Sequence, residues 1–137
     1  APLRWAYLAR PFRMEPAGCE LPEISADFKT ITFKVRPGLY FSDDPAFKGV
    51  KRELTAADYV YSIKRHYDPR WKSGKLYLLE NAKILGLSEL RKELMAAKKP
   101  FDYDREVEGV RALDRYTLQF KLPLLLLGLL FCGLAGR

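Results

Sequence analysis

Ile31, Phe33 and Val35 alternate with Thr32 and Lys34. A period of two puts the three apolar side chains on one face, which predicts a half-buried strand over residues 30–35. Pro37-Gly38 follows and suits the two central positions of a type II turn, because Pro presets φ and Gly supplies φ > 0. Leu39 and Phe41 then return to the apolar side, and Asp43, Asp44, Pro45, Lys48 and Gly49 make a polar loop. Beyond it the period lengthens. Ala56, Val60, Ile63 and Tyr67 recur at helical spacing and form one apolar stripe, with Val60 and Ile63 expected in the core. Thr55 caps this helix, and Asp58 three residues later completes a short form of the capping box while opposing the positive end of the helix dipole. Asp68-Pro69 stops it, since a residue before proline avoids the α region.

Leu87, Leu90 and Leu94 mark a second helix over residues 87–98, ended by Pro100. Residues 107–112 and 116–122 read as two paired strands around a turn at Asp114-Arg115. Leu118, Phe120 and Leu122 face the core, and Thr117, Gln119 and Lys121 face water. Near the front, Trp5, Tyr7 and Leu8 read as the end of a strand. The stretch Arg10-Pro11-Phe12-Arg13-Met14-Glu15-Pro16 reads as loop, its prolines excluding a central strand. The fold class is α+β: strands, two main helices and a C-terminal hairpin, with the first helix as the element on which the others pack.

Composition changes this picture little. A length of 137 residues with 48% hydrophobic and 13% aromatic residues describes one globular domain or a piece of one. The net charge of +7 raises an alternative, a basic nucleic-acid-binding domain using Lys64-Arg65-His66-Tyr67 and Arg70-Trp71-Lys72. The charge is spread, however. Residues 1–52 carry nine basic and six acidic groups, residues 53–104 ten and eight, and residues 105–137 five and three, so no basic stripe forms. Catalytic patterns are missing: no Gly-x-Ser-x-Gly elbow, P-loop or dinucleotide glycine pattern is present, and the single histidine, His66, reads as a surface helix residue. Asp43-Asp44 reads as a solvated loop, so no metal ligands, no catalytic residues and no cofactor are assigned. Cys19 and Cys132 lack metal-ligand spacing and read as two small buried thiols, a disulfide between them being unsupported. Ala17-Gly18-Cys19 has the ending of a bacterial lipobox, but Arg13, Glu15 and Pro16 stand where its apolar run belongs.

The strand with Thr30 to Arg36, Pro37-Gly38, Phe41-Ser42-Asp43, then Leu54-Thr55-Ala56-Ala57-Asp58-Tyr59-Val60-Tyr61-Ser62 and Asp68-Pro69 together resemble the signature of the bacterial extracellular solute-binding proteins, family 5. Ile84, Gly86, Leu87 and Leu90, followed by Lys99-Pro100-Phe101-Asp102, extend the resemblance, which covers roughly residues 7–122. It implies part of a periplasmic-binding-protein type II fold, the small domain beside the first of two hinged lobes. It also implies a binding protein rather than an enzyme. The intact protein would hold an oligopeptide or similar solute in the cleft and hand it to an ABC permease in the membrane, with no nucleic acid involved. It places the intact protein in the periplasm or outside the cell, free or membrane-anchored. Within this frame the segment from Trp71 to Leu79 is placed nearest the cleft, and Tyr77 is the candidate ligand contact, offering an aromatic face and a hydroxyl; the competing reading has Tyr77 packed inside the domain.

After Leu122 the resemblance fails. Pro123 to Arg137 is leucine-rich, where the family continues with an acidic, proline-containing aromatic segment. The run is shorter than the roughly 20 apolar residues of a membrane span. A reading-frame change or truncated gene product is expected, a native apolar helix being the alternative. This divides the chain into a partial solute-binding domain, 1–122, and a tail, 123–137. At the front, no initiator Met and no targeting segment is visible.

Overall fold

The computed structural model describes residues 3–5 and 14–123. The leucine-rich run from 124 to 137, with Cys132, lies outside them, as do Tyr7, Leu8 and residues 10–13. Two sheets form. Strands β1 (Leu3–Trp5) and β2 (Met14–Pro16) make an antiparallel pair. The stretch read as loop therefore ends in a strand, and its Pro16 sits in a two-stranded ribbon where one missing donor is tolerated.

The main sheet has four antiparallel strands in the order β3 (Glu23–Ile24), β4 (Thr30–Lys34), β6 (Thr117–Lys121) and β5 (Val110–Ala112). β4 pairs with β6 in a register running from Thr30 opposite Lys121 to Lys34 opposite Thr117. This register puts Ile31, Phe33, Leu118 and Phe120 on one face, all of them buried. Phe33 and Phe120 meet edge to face at 5.8 Å. Val35 falls just past the strand and forms a single bridge with Cys19, so both are buried. Gly38 takes the positive φ of +78° that the Pro-Gly turn demands. Leu39 comes back half-buried, while Phe41 is exposed beside Phe47 and the guanidinium of Arg52.

Three helices follow: α1 (Ala56–Tyr67), α2 (Leu76–Asn81) and α3 (Leu87–Ala96). At the start of α1 the Asp58 carboxylate accepts from both the backbone N–H and the hydroxyl of Thr55 at 2.8 Å, the capping box read in the sequence. The α1 stripe is narrower than its spacing suggests. Ala56, Ile63 and Tyr67 are buried, but Val60 is only half-buried and packs on the margin of the core. Lys64, a polar position by pattern, is buried instead. Its ammonium donates to the carbonyls of Tyr103 at 2.7 Å and Arg105 at 2.8 Å, and burial lowers its pKa. α3 stops before Pro100 is reached: Lys98 takes φ of +52° and its N–H bonds the Met95 carbonyl.

The hairpin also differs from its pattern. Only Val110–Ala112 pairs with β6, and Val107 instead bridges to Val110. Gly109 is the reason. Its N–H donates to the Leu85 carbonyl and its own carbonyl accepts from Lys121, while Leu85 N–H donates to the Lys121 carbonyl. The segment before α3 thus lies directly on the end of β6. A Cβ at Gly109 would stand 2.3 Å from the Leu85 backbone nitrogen and oxygen.

Asp68 closes α1. It is 1% exposed. Its carboxylate accepts from Arg70 Nη2 at 2.7 Å, from Arg70 Nε at 3.0 Å, from the Arg70 backbone N–H and from the Tyr103 hydroxyl at 2.7 Å. The Arg70 guanidinium, with the Tyr103 hydroxyl behind it, holds this carboxyl down to about 2 against the opposing effect of burial.

Two outcomes test this architecture. Gly109→Ala should lower the unfolding free energy by about 2 kcal/mol or more, because backbone atoms and not a flexible side-chain end must move. Urea titration checks it; an unshifted midpoint would mean that Leu85 does not lie on Gly109. The second concerns acid. Because the folded pKa of Asp68 is depressed below its unfolded value near 3.9, the unfolded chain binds more protons between the two values. Stability from this group is present above about pH 4 and lost as pH falls toward 2, amounting to about 2 kcal/mol. Denaturant curves across that range should show wild type and Asp68→Asn converging as the pH falls; a constant gap between them would contradict the assignment.

Candidate functional site

The exit of α1 gathers the residue types that act on surfaces. Tyr61 and Arg65 stand one turn apart on α1 and so share a face. Tyr61 stacks on Tyr103 at 4.8 Å between centroids, and Tyr103 meets Phe101 edge-on at 5.3 Å. A 3-10 turn, Pro69–Trp71, carries the chain off α1, with Asp68 capping it. That turn swings Trp71 back over α1. Its indole N–H donates to the Tyr103 hydroxyl at 3.3 Å, and the Arg65 guanidinium lies 4.0 Å over its ring. Asp68, Tyr103 and Trp71 therefore form one hydrogen-bonded chain from the buried carboxylate to the exposed indole.

His66 lies beside this group, half-buried, with Nδ1 2.6 Å from the Ser73 hydroxyl oxygen. Burial, then the charges of Lys75 and Arg65, lower its pKa, so the imidazole is neutral at pH 7. Among the described residues no carboxylate orients the ring from its other side, and Ser73 Oγ also accepts from the Lys75 N–H at 3.3 Å. This pair pins the loop into α2 and is not a nucleophile–base–acid set. Cys19 is buried beside Tyr59; burial raises its thiol pKa and pushes the Tyr59 phenol up to about 12. Both groups are protonated and inert at neutral pH. Asp44 caps the short turn Pro45–Phe47 through the Ala46 N–H. Among the described residues no group of His, Cys, Asp and Glu is arranged to hold a metal ion, and no helix is long and apolar enough to cross a membrane.

The segment from Trp71 to Leu79 is a turn end, a left-handed Lys72 and the first part of α2. Tyr77 stands on α2 and is 61% exposed, so the reading that packs it inside this domain does not hold. It is not drawn into the Trp71–Tyr103–Asp68 chain. That chain is not legible in the sequence, because Asp68 reads only as a helix stop and Tyr103 belongs to no pattern. The usable signal was an Asp-Pro-Arg-Trp run, in which a carboxylate and a guanidinium two residues apart straddle a proline turn.

The segment resembles known binding proteins over nearly all of its described length. The family model "Bacterial extracellular solute-binding proteins, family 5 Middle" matches residues 13–124. The oligopeptide-binding protein AmiA of Streptococcus pneumoniae is 35% identical over 111 residues, which is 80% of this chain and 15% of that protein. Among solved structures, OppA of Listeria monocytogenes bound to peptide shares 29% identity with a TM-score of 0.58, covering 90% of this chain and 21% of that one. The substrate-binding domain of an oligopeptide ABC transporter from Bacillus anthracis superposes with a TM-score of 0.65 at 24% identity, covering 93% and 21%. The chain thus spans between a seventh and about a fifth of the length of these relatives. With the family model covering most of its residues, the chain belongs to the bacterial extracellular solute-binding proteins, family 5.

Proposed function

We propose that this chain is a segment of the solute-binding component of an ABC importer that captures oligopeptides outside the cytoplasm and delivers them to a membrane permease. The family match over residues 13–124 carries this reading. Support comes from the 29% identity to an OppA with peptide bound. The family is extracellular by its own description, and the intact protein works in the periplasm or on the outer cell surface. Its task is binding rather than catalysis, which agrees with a His66–Ser73 pair spent on holding a loop.

Residues 1–122 act as part of the first lobe, and the leucine-rich residues 123–137 stand apart from it. The main support is composition: an acidic aromatic continuation is replaced by a run without a single charge between Pro123 and Gly136. Tyr77 is the proposed ligand contact within this segment. It projects from α2 with its ring and hydroxyl free to meet a second surface.

The test uses a chimera. Residues 13–122 replace the corresponding segment of the Listeria OppA, and peptide binding is measured calorimetrically. Affinity should stay within about tenfold of the parent, since a homologous segment leaves the enclosing lobes in place. Loss of binding by a chimera that still melts cooperatively would overturn the reading. Tyr77→Ala in the same chimera should weaken binding by a few-fold; an unchanged affinity removes Tyr77 from the site. The 137-residue chain alone should give no saturable heat with a mixed peptide library, because one small domain cannot bury the roughly 70–90% of ligand surface that a cleft encloses.

A further inference from the structure

The surface at the exit of α1 is more ordered than a solvated helix end needs to be. Trp71 is 53% exposed and Tyr61 49% exposed, yet both are held. Tyr61 is stacked on Tyr103, and the Trp71 indole is hydrogen-bonded to it. Tyr103 is itself fixed by the buried Asp68 carboxylate. The conformational entropy of these large side chains has already been lost in folding, so a partner that covers them does not have to lose it again. Trp, Tyr and Arg are also the residue types in which binding energy concentrates at protein interfaces.

The charge at this surface is unbalanced. Arg70 is neutralised by Asp68, but among the described residues no carboxylate lies within ion-pair distance of Arg65, Lys72 or Lys75. The pKa of His66 is lowered first by burial, and the charges of Lys75 and Arg65 add to the effect. The Arg65 guanidinium carbon stands 4.0 Å over the indole ring, which restrains the side chain while leaving guanidinium N–H groups to meet a carboxylate.

We propose that Tyr61, Arg65 and Trp71, flanked by Lys72 and Lys75, form a docking surface for an acidic protein, with Arg65 taking a carboxylate of the partner. A membrane surface fits less well. Trp71 has one face covered by Arg65 and its N–H bonded inside the domain, so it cannot enter a headgroup layer apolar face first. Nucleic acid fits less well too, because Arg65, Lys72 and Lys75 are three cations gathered at one turn and not the extended basic stripe that follows a phosphate backbone. This inference does not depend on peptide capture: a surface of this kind serves whatever the cleft of the intact protein holds.

The full chain, labelled with nitrogen-15, is titrated with an Asp- and Glu-rich aromatic-containing peptide at about 0.1 M salt, where exposed charges more than about 10 Å apart are screened. The Trp71 indole and Arg65 Nε signals should shift saturably. Arg65→Gln should weaken binding by about fivefold or more, and Arg65→Lys should recover only part of it, since the ammonium lacks the fork. Lys29→Gln, the same charge change at an exposed residue in the β3–β4 turn, should leave the affinity unaltered. Circular dichroism confirms that each variant is folded. Equal losses for Lys29→Gln and Arg65→Gln would reduce the effect to net charge and overturn the proposal. So would stronger shifts at Trp71 with phosphatidylglycerol vesicles or with short duplex DNA, or the absence of shifts at Trp71 and Arg65.

Discussion

The pairing of β4 with β6 is the constraint on which the remaining elements rest. It joins segments separated by about eighty residues, and the helices lie within the loop it closes. Closing a loop of that length costs about 4 kcal/mol beyond a constant term. Five buried side chains on the joined faces, Ile31, Phe33, Val35, Leu118 and Phe120, each contribute roughly 1.5–3 kcal/mol, which exceeds that cost. The register decides which side chains these are, since a slip of β6 by one residue would turn Thr117, Gln119 and Lys121 inward. α1 packs on β5, β6 and α3.

Two polar anchors tie the far end of α1 to the segment before β5. Lys64 bonds the carbonyls of Tyr103 and Arg105, and Asp68 bonds the Tyr103 hydroxyl. Each buried charge is hydrogen-bonded, by two carbonyls in one case and by a guanidinium and a phenol in the other. The Tyr67 ring, between them in sequence, packs in the core, and burial raises the pKa of its hydroxyl. The arrangement makes Tyr103 the joint between core and surface: one side chain receives the anchor from below and supports Tyr61 and Trp71 above.

Much of this was legible from pattern because the informative residues are local. Alternation at Ile31, Phe33 and Val35 and at Leu118, Phe120 and Leu122 marks both central strands, and Thr55 with Asp68-Pro69 marks both ends of α1. The rest depends on neighbours distant in sequence. Val107 reads as strand until Gly109 is seen against Leu85. Lys64 reads as solvent-facing until two carbonyls from forty residues downstream meet it. Val60 keeps the helical spacing of the stripe but is only half-buried at its edge. The platform at Trp71 was illegible for a related reason: its order comes from Tyr103, which lies beyond two intervening helices in the sequence.

The wide separation of β4 and β6 has a consequence for biosynthesis. When Ile31, Phe33 and Val35 leave the ribosome, the strand that will cover their flank does not yet exist. At about 5–20 residues per second, synthesis of the intervening stretch takes about 4 to 16 s. Throughout that interval the nascent chain carries an uncovered β-edge with three large or branched apolar side chains, beside a helix that has its cap but no sheet to rest on. Such a chain cannot commit early to its native state. It stays open until β6 has emerged, and over the same seconds its apolar strand is exposed to pairing with that of a neighbour.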